Sequence, residues 1–144
     1  PTAAFAVPAF QDCADDQSTI PAGEGPEGHT HLVTFETMAE YERITAMLGV
    51  ADNSTYWIGL SDHRIDSRWV WSTEAAVVMF PPQQPAPPWR PPNQPFNSDG
   101  VADCVTLGRT TDNEWLIATA PCPTAGDRKA ICECDDRSIL QSWE

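Results

Sequence analysis

Two short apolar segments near the middle of the chain, Tyr56–Leu60 and Trp69–Trp71, constrain the fold more than any other feature. The first is aromatic and β-branched and lies between polar runs, which is typical of a short buried strand. In the second, the two-residue period of a strand places both indoles on one face and Val70 on the other. Large aromatic side chains dominate protein cores. We therefore expect two strands whose tryptophans belong to the core, with Gly59 at a point where a side chain would obstruct.

Length and charge limit what the chain can do. Its 144 residues fit one domain with a sizeable core, and we expect 1–144 to form that domain. Residues 1–12 are expected to be an N-terminal arm or first strand, and 80–101 a long loop region. The formal net charge of −13 makes nucleic acid and anionic membrane surfaces poor partners, because the field of the protein repels them. No apolar run approaches the roughly 20 residues that span a bilayer, so membrane insertion is not expected.

The five cysteines favour disulfides over metal binding or redox chemistry. No Cys-x-x-Cys pair occurs, and Cys132-Glu133-Cys134 does not have the spacing of a zinc knuckle or a thioredoxin-type site. Disulfides persist in oxidising surroundings. We therefore expect a secreted or cell-surface protein, in which the odd cysteine is either a buried thiol or a bond between molecules.

One helix is predicted before the central strands. Thr37 and Glu40 form a capping box, and Gly49 supplies the stop. The apolar positions at helical spacing, which are expected to pack together, are Met38, Tyr41, Ile44 and Leu48. Further strands are predicted over residues 31–35, 102–107, 113–117 and 129–133.

The segment 80–96 is rich in proline. Proline fixes φ and removes a backbone donor, so this segment is expected to be a stiffened loop and not a helix or a central strand. Long loops inside compact domains are usually functional. The alternative is a rigid spacer, or a peptide that docks into an aromatic groove of another protein.

Taken in order, these motifs closely resemble a C-type lectin-like domain. The resemblance runs from about Leu32 to Glu133 and rests on the two central strands, the strand around Asp103-Cys104-Val105 and the Ala120-Pro121-Cys122 loop. It implies an α+β fold with small antiparallel sheets, one clear helix, a long irregular proline-rich loop and disulfides. The family has its first helix over residues 15–28, where glycine and proline here predict a loop.

The same resemblance implies a disulfide pattern. One family bridge corresponds to Cys104 and Cys122. The other joins the first helix to the last strand, and with the helix cysteine missing, Cys13 would take Cys132 or Cys134. We expect Cys13 to pair with Cys134 as a link between the first and last strands, which would leave Cys132 as an inward-facing thiol.

The resemblance also implies a calcium-dependent sugar site, but the motifs that would build it differ in this chain. Gln94-Pro95-Phe96 corresponds to a glutamine-type ligand triplet of the family, and the ring of Phe96 cannot bind calcium. An alternative alignment places Pro91-Pro92-Asn93 on this triplet, and the first ligand position is then a proline, which cannot bind calcium through its side chain. Ala102 stands where a glutamate is usual.

The family's tryptophan-asparagine-aspartate calcium motif is altered as well, since Trp115 is followed here by Leu116-Ile117. We therefore expect no metal and no other cofactor. The oxygens left for a weaker or displaced calcium site belong to Gln94, Asn97, Asp99 and Asp103.

The sequence contains no nucleophile elbow and no histidine placed beside a nucleophile, so an enzyme is not expected. We expect a secreted, non-enzymatic recognition module that binds an extracellular protein or glycan through the long-loop surface. The predicted ligand-binding residues are Trp89, Asn93, Gln94, Phe96, Asn97 and Asp99. One alternative is a lectin with a rearranged or weak calcium site. The other is a structural subunit of an extracellular assembly, which self-associates through the arm or the odd cysteine.

Overall fold

A computed structural model of the chain describes the sheets, one helix and one end of the long loop. The described residues are 13, 29–35, 37–49, 53–62, 69–73, 88–95, 102–122 and 129–135. Their elements in chain order are β1 (His29–Leu32), α1 (Met38–Leu48), β2 (Tyr56–Ser61), β3 (Val70–Trp71), β4 (Cys104–Arg109), β5 (Trp115–Ala120), β6 (Lys129–Ala130) and β7 (Cys132–Asp135).

The larger sheet contains the two strands that the central segments predict. Its strand order is β3-β2-β4-β5, with antiparallel neighbours, and β6 pairs in parallel with β2. Leu60 lies opposite Trp71 across β2 and β3. Trp69 and Trp71 are 3% and 1% exposed and belong to the main core, which confirms their assignment as core residues.

Gly59 lies where two chain segments approach closely. Its N–H donates to the carbonyl oxygen of Val33, and its own carbonyl accepts from the N–H of Ser72. A Cβ at this position would lie 2.8 Å from the backbone oxygen of Leu32 and 2.6 Å from Ser72 Oγ. A backbone oxygen cannot move aside cheaply, so the predicted obstruction is confirmed.

A second, smaller sheet pairs β1 with β7 in antiparallel fashion. Ile131 connects this sheet to the larger one, since its carbonyl accepts from Val33 N–H at 2.8 Å and its N–H donates to Trp57 O at 3.3 Å. The predicted strand over 129–133 is therefore divided at Ile131 into β6 and β7. β1 also begins and ends earlier than the predicted segment 31–35, whereas β4 and β5 extend further along the chain than predicted.

Helix α1 begins and ends where the sequence predicts. Thr37 accepts a hydrogen bond from Glu40 N–H at the N-cap, and Gly49 ends the helix with a φ of 70°. Tyr41 is the buried residue of α1, with Ile44 and Leu48 partly buried against the main core. Met38 is 38% exposed, so its assignment to the packed face is wrong. It lies in the first turn of α1 and is not part of the main core cluster.

The disulfides confirm one predicted pair and correct the other. Cys104 is bonded to Cys122, as predicted. Cys13 is bonded to Cys132, with 5.4 Å between the Cα atoms, and Cys134 is the free cysteine and is exposed. The expected Cys13–Cys134 pair and the inward-facing Cys132 thiol are therefore wrong.

Strand geometry gives the reason for this correction. Cys134 lies two residues beyond Cys132 along β7, and a strand advances about 3.3 Å per residue. Cys13 packs in a cluster with Leu32, the strand partner of Cys132, whereas Cys134 pairs with Thr30 further along β1. Cys13 itself is helical and not extended, which also corrects its expected place in a first strand.

Candidate ligand-binding site

The described end of the long loop is attached to the edge of the larger sheet. Arg90 N–H donates to Ile117 O at 2.9 Å, and Ile117 N–H donates to Pro88 O at 2.7 Å. Trp89 therefore pairs in parallel with Ile117 of β5. The loop at this point behaves as a short added strand, whose position is fixed by the backbone of β5.

Trp89 was predicted to contact ligand, and the structure places it in the core instead. Its side chain is 1% exposed and packs edge-on against Trp69, with ring centroids 5.5 Å apart. Paired residues of adjacent strands direct their side chains to the same face of a sheet. Since Ile117 is fully buried, its partner Trp89 is buried beside it. Trp89 anchors the loop and is not available to a ligand.

Gln94 makes a second attachment to β5. Its side-chain oxygen Oε1 accepts from Thr119 N–H at 2.8 Å and from Thr119 Oγ1 at 2.9 Å. An amide oxygen has two lone pairs, and Thr119 uses both. Gln94 was predicted as a ligand-binding residue and a calcium candidate, but its carbonyl oxygen serves to hold the loop against the sheet.

Between the two attachments the chain turns outward. We call residues 90–93 the ridge; all four are exposed, and they are Arg90, Pro91, Pro92 and Asn93. The peptide bonds Pro91–Pro92 and Gln94–Pro95 are cis. The Asn93 amide makes no hydrogen bond within the described part of the chain. Of the predicted ligand-binding residues, Asn93 is thus presented to solvent on a segment that is fixed at both ends.

The remaining predicted site residues are placed as follows. Phe96, Asn97 and Asp99 lie outside the described residues, so their assignments stay predictions. Asp103 precedes β4 directly, and its backbone oxygen accepts from Asp62 N–H at 3.1 Å. Gln94 is therefore hydrogen-bonded to Thr119, and Asp103 to Asp62.

The donors within the described residues do not fit a calcium ion. Calcium takes six to eight oxygens, mostly from carboxylates and carbonyls, and both lone pairs of Gln94 Oε1 are occupied. No group of three or more His, Cys, Asp or Glu side chains that could hold a metal occurs in the described ranges.

Sequence reasoning missed Thr119 and Ile117, which position the loop, and Arg90, which is exposed on the ridge. Thr119 lies 25 residues from Gln94 in the chain. Thr119 lies beyond the predicted strand 113–117, and a single threonine carries no signal of such a distant partner. Arg90 did carry one signal, because it is the single charged residue in the proline-rich segment 80–96.

The two mainly antiparallel sheets, helix α1 and the two disulfides define a C-type lectin-like α+β fold. The sequence profile of the Lectin C-type domain family matches residues 26–134. The chain therefore belongs to the C-type lectin domain family.

Comparisons with individual proteins agree with this assignment. C-type lectin 37Da of Drosophila melanogaster is 28% identical over 116 residues, which cover 77% of this chain and 59% of that protein. The chain thus spans less than two thirds of this relative. The structure of CEL-I from Cucumaria echinata has a TM-score of 0.59 at 18% identity and covers 89% of this chain and 81% of CEL-I.

The C-type lectin domain of murine dendritic cell inhibitory receptor 2, solved in complex with an N-glycan, has a TM-score of 0.53 at 22% identity. That comparison covers 92% of this chain and 83% of the receptor domain. At these identities the two solved structures establish a shared fold. Membership of the family supports a non-enzymatic recognition module. Within the described residues, no helix has the length and apolar composition needed to cross a membrane.

Proposed function

We propose that the chain is an extracellular recognition module that binds a glycan through the ridge, without calcium. The observation that carries this proposal is the double attachment of the loop to β5. Backbone hydrogen bonds hold residues 88–90 against Ile117, and Gln94 is held by Thr119. A segment fixed in advance loses little conformational entropy when it binds, so more of the contact energy remains as affinity.

The chemistry of the ridge suits a polyhydroxylated ligand. The Asn93 amide both donates and accepts hydrogen bonds, as a sugar hydroxyl does. Pro91 and Pro92 add a stiff apolar surface with no backbone donor. The murine receptor domain of the same fold was solved with an N-glycan, which favours a glycan over a protein ligand. We therefore infer a glycan ligand.

The second part of the proposal is that binding does not require calcium. Its support is the occupied carbonyl oxygen of Gln94, which in this conformation has no lone pair left for an ion. Calcium binding at this position would first require the Gln94–Thr119 hydrogen bonds to break.

A glycan array tests the proposal directly. A tagged form of the full chain is applied once with a chelator and once with millimolar calcium. We expect the same glycans to bind to a similar extent in both buffers. The variant Asn93→Ala should bind about five- to tenfold more weakly, because a neutral hydrogen bond contributes about 1 kcal/mol.

The control variant is Glu42→Ala, which alters an exposed residue of α1. It should bind as the unmodified chain does. Binding that occurs only with calcium would support a rearranged calcium site instead. Absence of binding to every glycan in both buffers would refute the glycan ligand.

A further inference from the structure

Two polar side chains meet above a glycine at the end of the larger sheet. The glycine is Gly108 in β4, and a Cβ built on it would lie 3.5 Å from Thr55 Oγ1 and 3.6 Å from Arg90 Nη2. Thr55 directly precedes β2, and Arg90 is the first residue of the ridge. Gly108 thus forms the floor of a small site, with a hydroxyl and a guanidinium at its sides.

Neither group has a partner within the described part of the chain. The Arg90 guanidinium makes no hydrogen bond or ion pair there, and the Thr55 hydroxyl makes no hydrogen bond. This is unexpected for an arginine in a chain with 21 acidic and 8 basic residues, where carboxylates are abundant. Arg90 is an exposed residue and Thr55 is half-buried. They present donors to a ligand from solvent.

Other basic residues lie at the same end of the sheet. Arg109 follows Gly108 in β4, and its guanidinium donates to the neutral amide of Asn113. Lys129 lies opposite Tyr56 in the sheet, with Nζ 5.9 Å from the centre of the Tyr56 ring. Asp112 and Glu114, on the turn between β4 and β5, form no ion pair with these cations. Of the four basic residues in the described ranges, Arg43 is the one located elsewhere, on α1.

We propose that Arg90, Thr55 and Gly108 form a subsite for the anionic group of an acidic glycan. This inference rests on the glycan binding proposed for the ridge, and it assigns the ligand to glycans that carry a carboxylate or a sulfate ester. The anionic oxygens accept from the Arg90 guanidinium and from the Thr55 hydroxyl. Because Gly108 has no side chain, the Thr55 hydroxyl and the Arg90 guanidinium both lie close to the strand at this point, and Asn93 contacts the adjoining sugar.

The test compares three probes on the full chain: lactose, sulfated lactose and sialyllactose, each displayed on the same polymer. We expect both acidic probes to bind more tightly than lactose, and their binding to weaken as sodium chloride is raised. The variant Arg90→Gln should lose about tenfold or more of the affinity for the acidic probes, because hydrogen bonds to charged groups are the strong ones. The loss for lactose should be smaller, because lactose carries no anionic group for the guanidinium to bind.

Matched variants separate a local contact from an effect of net charge. Arg43→Gln removes the same charge on α1 and should leave the binding of all three probes as it is. Thr55→Val removes the hydroxyl without changing the shape of the side chain and should weaken the acidic probes. Gly108→Ala fills the floor of the site, and it should fold normally because its Cβ would make ordinary van der Waals contacts of 3.5 to 3.7 Å. Thermal unfolding of each variant confirms its fold.

The outcomes distinguish this inference from the function on which it rests. If lactose binds and the acidic probes bind no better, the subsite is refuted while glycan recognition stands. Equal losses in Arg90→Gln and Arg43→Gln would refute the subsite as well, since the effect would then come from net charge. If no probe binds and the glycan array is also silent, both proposals are refuted.

Discussion

Trp89 and Asn93 belong to the same proline-rich segment, and their surroundings give them opposite roles. Trp89 is 1% exposed because its backbone pairs with Ile117, which directs the indole into the core. Asn93 lies beyond that pairing and is exposed on the ridge. An aromatic residue of this loop can therefore contact a ligand only where its backbone is not paired with the sheet.

A substitution at Trp89 tests this placement. Trp89→Ala should lower the free energy of unfolding by about 3–5 kcal/mol, as removal of a buried aromatic side chain generally does. Denaturant titration followed by circular dichroism measures the loss. Trp89→Phe retains a buried aromatic ring, so its free energy of unfolding should fall by much less. A change below about 1 kcal/mol in Trp89→Ala would contradict the core position.

Tyr41 is the buried side chain of helix α1. The ring of Tyr41 packs edge-on against Phe35 at 5.3 Å, and its hydroxyl donates to the backbone oxygen of Trp115. Burial, and in second place the charge of Glu114, raise the pKa of Tyr41 above its usual value. The phenol therefore stays protonated in the folded chain at pH values where it ionises in the unfolded chain.

This pKa shift predicts how stability depends on alkaline pH. The folded-state pKa of Tyr41 is raised, so the contribution of Tyr41 is complete below about pH 10, where the unfolded tyrosine is still protonated, and it declines as the pH rises further. Between about pH 9 and about pH 11, the free energy of unfolding should fall by about 1 kcal/mol more in the unmodified chain than in Tyr41→Phe.

Denaturant titrations at the two pH values measure this difference. Cys134 is alkylated first, because a thiolate would exchange with the disulfides at high pH. Other ionisable groups affect both proteins alike and cancel in the comparison. Identical pH profiles would show that Tyr41 ionises as easily in the folded chain as in the unfolded one.

On the scale of the whole molecule, two disulfides close loops of very different length. Cys13 and Cys132 are 119 residues apart, whereas Cys104 and Cys122 are 18 residues apart. The first bond joins a residue near the beginning of the chain to β7, and the second joins β4 to the segment that follows β5. In the chain-entropy account of disulfides, a longer closed loop restricts the unfolded chain more.

Removing each bond in turn should show this difference. In a Cys134→Ser background, which prevents exchange with the free thiol, the double variant Cys13→Ser/Cys132→Ser should lose about 5 kcal/mol and Cys104→Ser/Cys122→Ser about 3 kcal/mol. Denaturant titration measures both. A larger loss from the short loop would mean that native contacts near Cys104, and not chain entropy, dominate its contribution.

Much of the fold could be predicted because its signals are local. The capping position of Thr37 and the stop at Gly49 depend on neighbouring residues, and both are confirmed. The pairing of Cys104 with Cys122 was found through the resemblance of their flanking residues to a known family. The candidate site was predicted less well, since Trp89 is buried and Gln94 is occupied by Thr119.

The sequence by itself determined the central strands, the helix ends and the family, because residue periodicity, helix caps and motifs can each be recognised from neighbouring residues. The tertiary structure alone decided the partner of Cys13, the burial of Trp89 and the meeting of Arg90 with Thr55 above Gly108. Each of these depends on where a segment docks on a distant strand. That docking is set by backbone pairing and close packing between segments, which no local pattern specifies.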